Sequence, residues 1–185
     1  MKPVIFLDHD GVMCLATECG GRFRKQKQWN KLNPDNSVYL TNDFWKMDVQ
    51  YRFDNFNKKA VRILNDILKQ TDAEIVISSD WKYDCTLEEM QDLFKQYGVL
   101  KGPIDYTPSL TMEDFQGLEL VKAEYEAERA LEIKKWLALN PSVTKWVAID
   151  DLNMTPHLDN FVHTIKQNEG IKQSGVKEKI ISYLK

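Results

Sequence analysis

Residues 3–11 read Pro-Val-Ile-Phe-Leu-Asp-His-Asp-Gly, a short apolar run that ends abruptly in two acids and a glycine. A short run of apolar residues without polar alternation is typical of a strand that is buried on both faces. Gly11 favours a sharp turn directly after the two acids. The segment therefore predicts a core strand over residues 3–7 whose carboxyl end carries Asp8 and Asp10.

Two later segments repeat this pattern. Residues 73–77 (Ala-Glu-Ile-Val-Ile) lead into Ser78 and Ser79, and residues 145–149 (Lys-Trp-Val-Ala-Ile) lead into Asp150-Asp151. In an open parallel sheet, a ligand binds beyond the carboxyl ends of the strands. We therefore expect the polar residues that follow all three strands to lie close together and to form the functional site.

Helical patterns lie between the predicted strands. Helices are expected after a cap at Asn57, between Thr86 and Gly98, from about residue 119 to residue 139, and near the C-terminus, while Phe161-Val162 is expected to begin a fourth strand. Strands that alternate with helices predict an α/β protein with a parallel sheet covered on both faces. We expect a three-layer α/β/α architecture in one domain, residues 1–185.

Composition narrows the class of protein. The net charge of −3 provides no overall basic field that would indicate a nucleic-acid-binding protein. No apolar run is long enough to span a bilayer, so no membrane partner is expected. Cys14, Cys19 and Cys85 lack metal-binding spacing and are too few for a disulfide framework. We expect a cytoplasmic protein.

Residues 14–53 interrupt the alternation and are too long for a simple connection. They are predicted to form an insert that leaves the first strand near the site as a small cap or flap. The insert contains a basic cluster from Arg22 to Lys27. Arginine is suited to phosphate, so Arg22 and Arg24 are candidate substrate-binding residues, with a solvated loop as the alternative. A second irregular stretch is predicted over residues 99–118.

The two acids after the first strand indicate phosphate chemistry. A carboxylate such as Asp8 can attack phosphorus and form an aspartyl-phosphate. A second carboxylate, Asp10, can protonate the leaving oxygen and later activate water. Two anions that face a phosphate require a cation, and magnesium prefers oxygen ligands of the kind that Asp150 and Asp151 supply.

The phosphoryl group also needs donors that balance its charge. Ser78 offers a hydroxyl at the end of the second strand, and Ser79 is the alternative if that strand ends one residue later. A positively charged side chain is required as well. The candidates upstream of the third long strand are Arg129, Lys122, Lys134 and Lys135.

Three of these segments resemble the motifs of the haloacid dehalogenase (HAD) superfamily: residues 4–12, 75–78 and 147–151. Within the superfamily, the chain is most similar to the HAD domains of Swiss Army Knife RNA repair-like proteins. That similarity rests on Ser78-Ser79-Asp80-Trp81, on Thr107-Pro108 and on residues 129–137.

The resemblance implies a Rossmann-like HAD fold and a magnesium-dependent phosphatase, with Asp8 as nucleophile and Asp10 as general acid and base. It implies that Arg129 takes the position of the catalytic cation, where the family usually has lysine. The implied magnesium ligands are Asp8, Asp10 through its backbone carbonyl, Asp150, and Asp151 directly or through water. The residues expected to contact substrate are Ser78, Ser79, Gly11, Arg22 and Arg24.

The predicted reaction is hydrolysis of a phosphate monoester, either a small molecule such as a nucleotide or the terminal phosphate of a nucleic acid. A phosphomutase is an alternative because it uses the same pair of aspartates. A non-catalytic module that binds a phosphorylated partner is another alternative. Binding alone does not require Asp10, which favours an enzyme.

Overall fold

The protein is described by a computed structural model that covers residues 2–18, 20–38, 44–115 and 125–185. Some predictions concern residues that lie outside this range. These are Cys19, the candidate cation Lys122 and the first turns of the helix that was predicted to begin near residue 119.

A parallel sheet forms the centre of the described structure, with strand order β3-β2-β1-β4-β5. All neighbouring strands run parallel, and Leu7 pairs with Ile77 on one side and with Ile149 on the other. The three strands predicted to be buried are thus adjacent at the middle of the sheet. The strands are β1 (Val4–Leu7), β2 (Glu74–Ile77), β3 (Asp105–Tyr106), β4 (Trp146–Asp150) and β5 (Phe161–His163).

Helices cover both faces of the sheet. The side chains of Ile5 and Leu7 enter the core under α3, α4 and α6, whereas Val4 and Phe6 enter the core under α5. This arrangement confirms the predicted three-layer α/β/α fold. No helix in the described ranges has the length and apolarity that crossing a membrane requires. The helices are α1 (Gly21–Leu32), α2 (Val49–Arg52), α3 (Lys58–Thr71), α4 (Leu87–Gln96), α5 (Tyr125–Leu139) and α6 (Val176–Leu184).

The predicted helix ends are confirmed where a local signal specified them. The Asn57 side chain accepts hydrogen bonds from two backbone N–H groups in the first turn of α3. Thr86 and Glu89 form a reciprocal capping box at the start of α4. Gly98 follows α4 with φ +77°, the left-handed conformation that glycine adopts readily.

Two local predictions are corrected. The solvated loop that was the alternative for the basic cluster at residues 22–27 is instead helical and belongs to α1, because arginine, lysine and glutamine favour helix although the segment lacks an apolar stripe. The stretch 99–118, predicted to be irregular, contains β3, which is too short to leave a periodic pattern.

Residues of the predicted insert pack against the rest of the domain. Arg52 donates to both carboxylate oxygens of Glu89 at 2.7 and 2.9 Å. Asp54, just after the insert, accepts a hydrogen bond from the backbone N–H of Arg22 at 2.7 Å. The Lys25 ammonium donates to the carbonyl of Phe53 at 2.8 Å. These contacts fix the first turn of α1 near the carboxyl end of β1, and a cap role for the insert stays a prediction.

His9 is part of an aromatic core cluster beneath the site. It is fully buried, and its ring stacks on Trp81 at 4.4 Å and on Phe56 at 5.4 Å. Neither ring nitrogen has a hydrogen-bond partner among the described residues. Burial lowers the pKa of His9 to about 3, with Arg129 adding to the effect. The imidazole therefore packs as a neutral aromatic ring.

This burial predicts a pH-dependent loss of stability. Below the ordinary histidine pKa of 6.5, the unfolded chain binds a proton that the folded protein excludes until about pH 3. Between pH 6.5 and about pH 3, the free energy of unfolding of wild type should therefore fall as the pH is lowered. His9→Phe should reduce the slope of this fall by up to about 1.4 kcal/mol per pH unit. Urea unfolding at several pH values measures the slope.

Phe56→Leu is the matched control, because it alters the same stack but leaves the histidine in place. It should lower the free energy of unfolding and retain the wild-type pH slope. Equal slopes for wild type and His9→Phe would show that His9 is not the buried neutral group described above.

Candidate functional site

The polar residues that follow the central strands converge at the carboxyl edge of the sheet, as predicted. They surround a cavity of about 120 Å³. Its lining is formed by Asp8, Asp10, Ser79, Asp80, Tyr125, Arg129, Asp150, Asp151 and Leu152. This set joins residues that are up to 144 positions apart in the chain, from Asp8 to Leu152.

Three aspartates form an acidic cluster in this cavity. Asp8, Asp150 and Asp151 each offer a carboxylate oxygen, and these oxygens lie within 4.8 Å of one another. Burial raises the pKa of Asp8 well above its ordinary value, and the neighbouring Asp150 raises it further. Burial likewise raises the pKa of Asp150, whose Oδ2 has no hydrogen-bond partner among the described residues. Crowded carboxylate oxygens, one of them buried without a hydrogen bond, fit a hard cation.

Gly11 lets the turn after β1 pass close to this cluster. Its φ is +69°, and a Cβ at this position would lie 2.5 Å from Oδ2 of Asp151, closer than atoms can approach. Asp151 is also held from another side, because Gln167 donates to its Oδ2 at 2.6 Å. The Asp151 carbonyl lies 2.9 Å from Nε2 of His163. Sequence reasoning identified Gly11 and Asp151 but missed Gln167 and His163.

Arg129 brings positive charge from α5 into the acidic cluster. Its Nη1 lies 3.4 Å from Oδ1 of Asp8 and 3.7 Å from Oδ2 of Asp150. Its Nη2 donates to Asp80 at 2.8 Å, and Nη1 also donates to the carbonyl of Ser78. The side chain is only 5% exposed. The guanidinium thus links the ends of all three central strands.

The two lysines that were also candidates for the catalytic cation, and that the structure describes, do not line the cavity. Lys135 pairs with Asp114 at 2.7 Å, and Lys134 is exposed on α5. Of the two arginines predicted in the insert to bind substrate, Arg22 is exposed and does not line the cavity, although its charge is close enough to Asp10 to lower the pKa of that carboxyl. Arg24 is exposed and does not line the cavity.

Asp10 stands at the exposed side of the cavity. The indole Nε1 of Trp81 donates to Oδ2 of Asp10 at 2.9 Å. Partial burial raises the pKa of Asp10, and this hydrogen bond opposes the increase. Two acids of unlike exposure therefore lie side by side: Asp8 is almost wholly buried and held by Arg129, while Asp10 is open to an entering group.

Comparison with protein-family models matches residues 4–176 to the HAD domain in Swiss Army Knife RNA repair proteins. The chain belongs to this family. No curated protein and no solved structure gives a match. Membership of a HAD family supports a phosphohydrolase-type function.

The HAD domain brings Ser79 rather than Ser78 to the cavity. β2 ends at Ile77, and the chain turns into a 3-10 helix at Asp80–Tyr83 directly after Ser79. The Ser79 side chain lies close enough to Asp8 to lower the pKa of that carboxyl against the effect of burial. By contrast, the Ser78 hydroxyl is buried without a partner among the described residues, and only the Ser78 carbonyl reaches Arg129. The cavity lining thus includes Ser79 and not Ser78, and the choice of hydroxyl that contacts a phosphoryl group stays a prediction.

A buried ion pair supports the helix that carries Arg129. The Lys82 ammonium lies 2.6 Å from the Glu132 carboxylate, and both side chains are nearly inaccessible. The Thr107 hydroxyl donates to the same carboxylate at 3.2 Å. Because Glu132 follows Arg129 by one helical turn, this network holds α5 against the segments after β2 and β3. Thr107 and Glu132 fall in the segments on which the family resemblance rested, but Lys82 was missed.

Proposed function

We propose that this HAD domain is a magnesium-dependent phosphatase that hydrolyses a phosphate monoester through an aspartyl-phosphate on Asp8. The observation that carries the proposal is the position of the Asp8 carboxylate. It lies within one small cavity beside the Arg129 guanidinium, next to Asp150 and Asp151, with Asp10 at the open side. Nucleophile, cation, metal ligands and proton donor are the components that phosphoryl transfer to a carboxylate requires.

Asp8, Asp150 and Asp151 would hold the magnesium ion, together with the backbone carbonyl of Asp10. When bound, the ion offsets the negative charge of the phosphoryl oxygens and favours the ionised form of the buried carboxylates. The proposal accounts for the buried Oδ2 of Asp150, which has no hydrogen-bond partner among the described residues, and for the raised pKa values of two adjacent buried acids.

The side chains divide the reaction between them. An oxygen of the ionised Asp8 carboxylate attacks phosphorus while Asp10 gives its proton to the departing oxygen of the substrate. Asp10 then takes a proton from the water that attacks the aspartyl-phosphate, which releases inorganic phosphate and restores Asp8. Before the attack, the charge of Arg129 favours the ionised form of Asp8 against the effect of burial, and the guanidinium and the Ser79 hydroxyl would contact phosphoryl oxygens.

The proposed substrate is a small phosphorylated molecule or the phosphorylated end of a nucleic acid. A nucleic-acid end is supported by the RNA repair proteins named in the matched family and by Arg22, an exposed arginine whose charge acts on Asp10 and which suits a further phosphate. The net charge of −3 favours a small molecule. We place the activity in the cytoplasm, where the free thiols of Cys14 and Cys85 would stay reduced.

The first test compares wild type with Asp8→Asn, because asparagine keeps the shape of the nucleophile and removes its charge. With magnesium, wild type should hydrolyse p-nitrophenyl phosphate and at least one member of a panel that includes nucleotides and 5′- and 3′-phosphorylated oligonucleotides. Asp8→Asn should lose activity by roughly 10⁴-fold, the order expected for removal of a catalytic nucleophile. EDTA should abolish the wild-type activity.

Asp92→Asn is the matched control, because it neutralises an exposed acid on α4 and should retain full activity. If neither wild type nor Asp8→Asn hydrolyses any compound in the panel, the phosphate-binding module would be favoured. Activity that survives complete chelation would exclude the magnesium role. Transfer of the phosphoryl group to a second hydroxyl of the substrate would favour a phosphomutase.

The two serines provide a second test. Ser79→Ala should lower kcat/KM by roughly tenfold or more, since a hydrogen bond to a charged group contributes about 1.5–3 kcal/mol. Ser78→Ala removes a hydroxyl without a partner among the described residues, so kcat/KM should change by less than about twofold and the free energy of unfolding should not fall. If Ser78→Ala lowers kcat/KM more than Ser79→Ala does, Ser78 rather than Ser79 would be the residue that contacts the phosphoryl group.

A further inference from the structure

Trp81 lies directly behind the proposed general acid. Only 5% of the residue is exposed, and its indole Nε1 donates to Oδ2 of Asp10 at 2.9 Å. No other side-chain hydrogen bond to this carboxylate occurs among the described residues. The proposed acid thus accepts a hydrogen bond from a buried donor, while Asp10 itself is exposed and lines the cavity.

The indole itself is held by neighbouring rings. Phe53 stacks on it with centroids 4.3 Å apart, and His9 stacks on it at 4.4 Å, each within 12° of parallel. These two residues are also buried. A flat ring in close-packed surroundings cannot rotate without displacing its neighbours, so the N–H direction is fixed by packing.

A carboxylate without such a donor has little to fix its orientation. Rotation about χ2 of aspartate is broad, because it joins a tetrahedral to a planar carbon. Proton transfer requires the carboxyl oxygen to lie within hydrogen-bond reach of the departing oxygen, and small displacements are costly in rate. A hydrogen bond from a rigid donor removes this freedom before the substrate arrives.

We propose that Trp81 is a positioning residue for the reaction, whose indole N–H fixes the Asp10 carboxylate in the orientation required to protonate the leaving group. This role rests on the proposed phosphatase function. Through Phe53, the last residue of the predicted insert, it also connects the packing of residues 14–53 with the geometry of proton transfer.

The role predicts a dependence on the leaving group. p-Nitrophenolate departs without needing a proton, whereas the alkoxide of benzyl phosphate requires one. Replacing the N–H should therefore lower kcat/KM for benzyl phosphate by roughly tenfold more than for p-nitrophenyl phosphate. The comparison uses kcat/KM because both esters form the same aspartyl-phosphate, so a later slow step common to both would mask the difference in kcat.

Three proteins separate the N–H from the packing of the ring. Trp81→Phe removes the N–H and part of the ring. Replacement of Trp81 by benzothienylalanine, which has sulfur in place of N–H, keeps the bicyclic shape and serves if the phenylalanine variant is unstable. The matched control is Trp136→Phe, because the Trp136 indole also donates to a carboxylate, that of Asp105 at 2.6 Å, outside the catalytic cavity.

Both Trp81 replacements should lower kcat/KM more for benzyl phosphate than for p-nitrophenyl phosphate. Trp136→Phe should keep the wild-type ratio of the two kcat/KM values. In protein that already carries Asp10→Asn, a further replacement of Trp81 should leave this ratio unchanged. An unchanged ratio in the benzothienylalanine protein beside an active wild type overturns the inference alone, since packing would then explain any effect of Trp81→Phe. Wild type that hydrolyses neither ester overturns the proposed function and the inference together.

Discussion

The arrangement of the site depends on the burial of like charges at the ends of adjacent parallel strands. β1 and β4 deliver Asp8 and Asp150 to one edge of the sheet, where each is less than 10% exposed. Such a pair is unfavourable by itself, because desolvation and mutual repulsion both oppose ionisation. Among the described residues, the guanidinium of Arg129 on α5 supplies a compensating positive charge. The acidic cluster also provides oxygen ligands for a second positive charge, that of a bound cation.

Much of the remaining structure holds these charges in place. The Lys82–Glu132 pair anchors α5 one turn beyond Arg129, and Gly11 gives Asp151 the space that a side chain would occupy. On the opposite face of the sheet, the stacked rings of His9 and Trp81 fill the core beneath Asp10. One face therefore positions the cation, and the other positions the exposed acid, so that the two aspartates of the Asp-His-Asp segment have different environments.

The sequence predicted those features whose signals are local. The buried strands are continuous apolar runs, Asn57 and Thr86 are recognisable caps, and Asp8 and Asp150 follow their strands directly. Features that arise from contacts across the chain could not be predicted in this way. Ser79 rather than Ser78 lines the cavity because of the path that the chain takes from β2 into the following 3-10 helix, Trp81 reaches Asp10 across 71 residues, and α1 has no apolar stripe that would have revealed a helix.

The central claim is that Asp8 carries the phosphoryl group during the reaction. The most direct test quenches the protein in acid during the first turnover of p-nitrophenyl phosphate with magnesium and then measures the mass of the protein. The account predicts one added phosphoryl group on the peptide that contains Asp8, removable by hydroxylamine as expected for an acyl phosphate and absent from Asp8→Asn. A phosphoryl group on Ser79 instead, or a first turnover that releases phosphate with no phosphorylated protein, would contradict it.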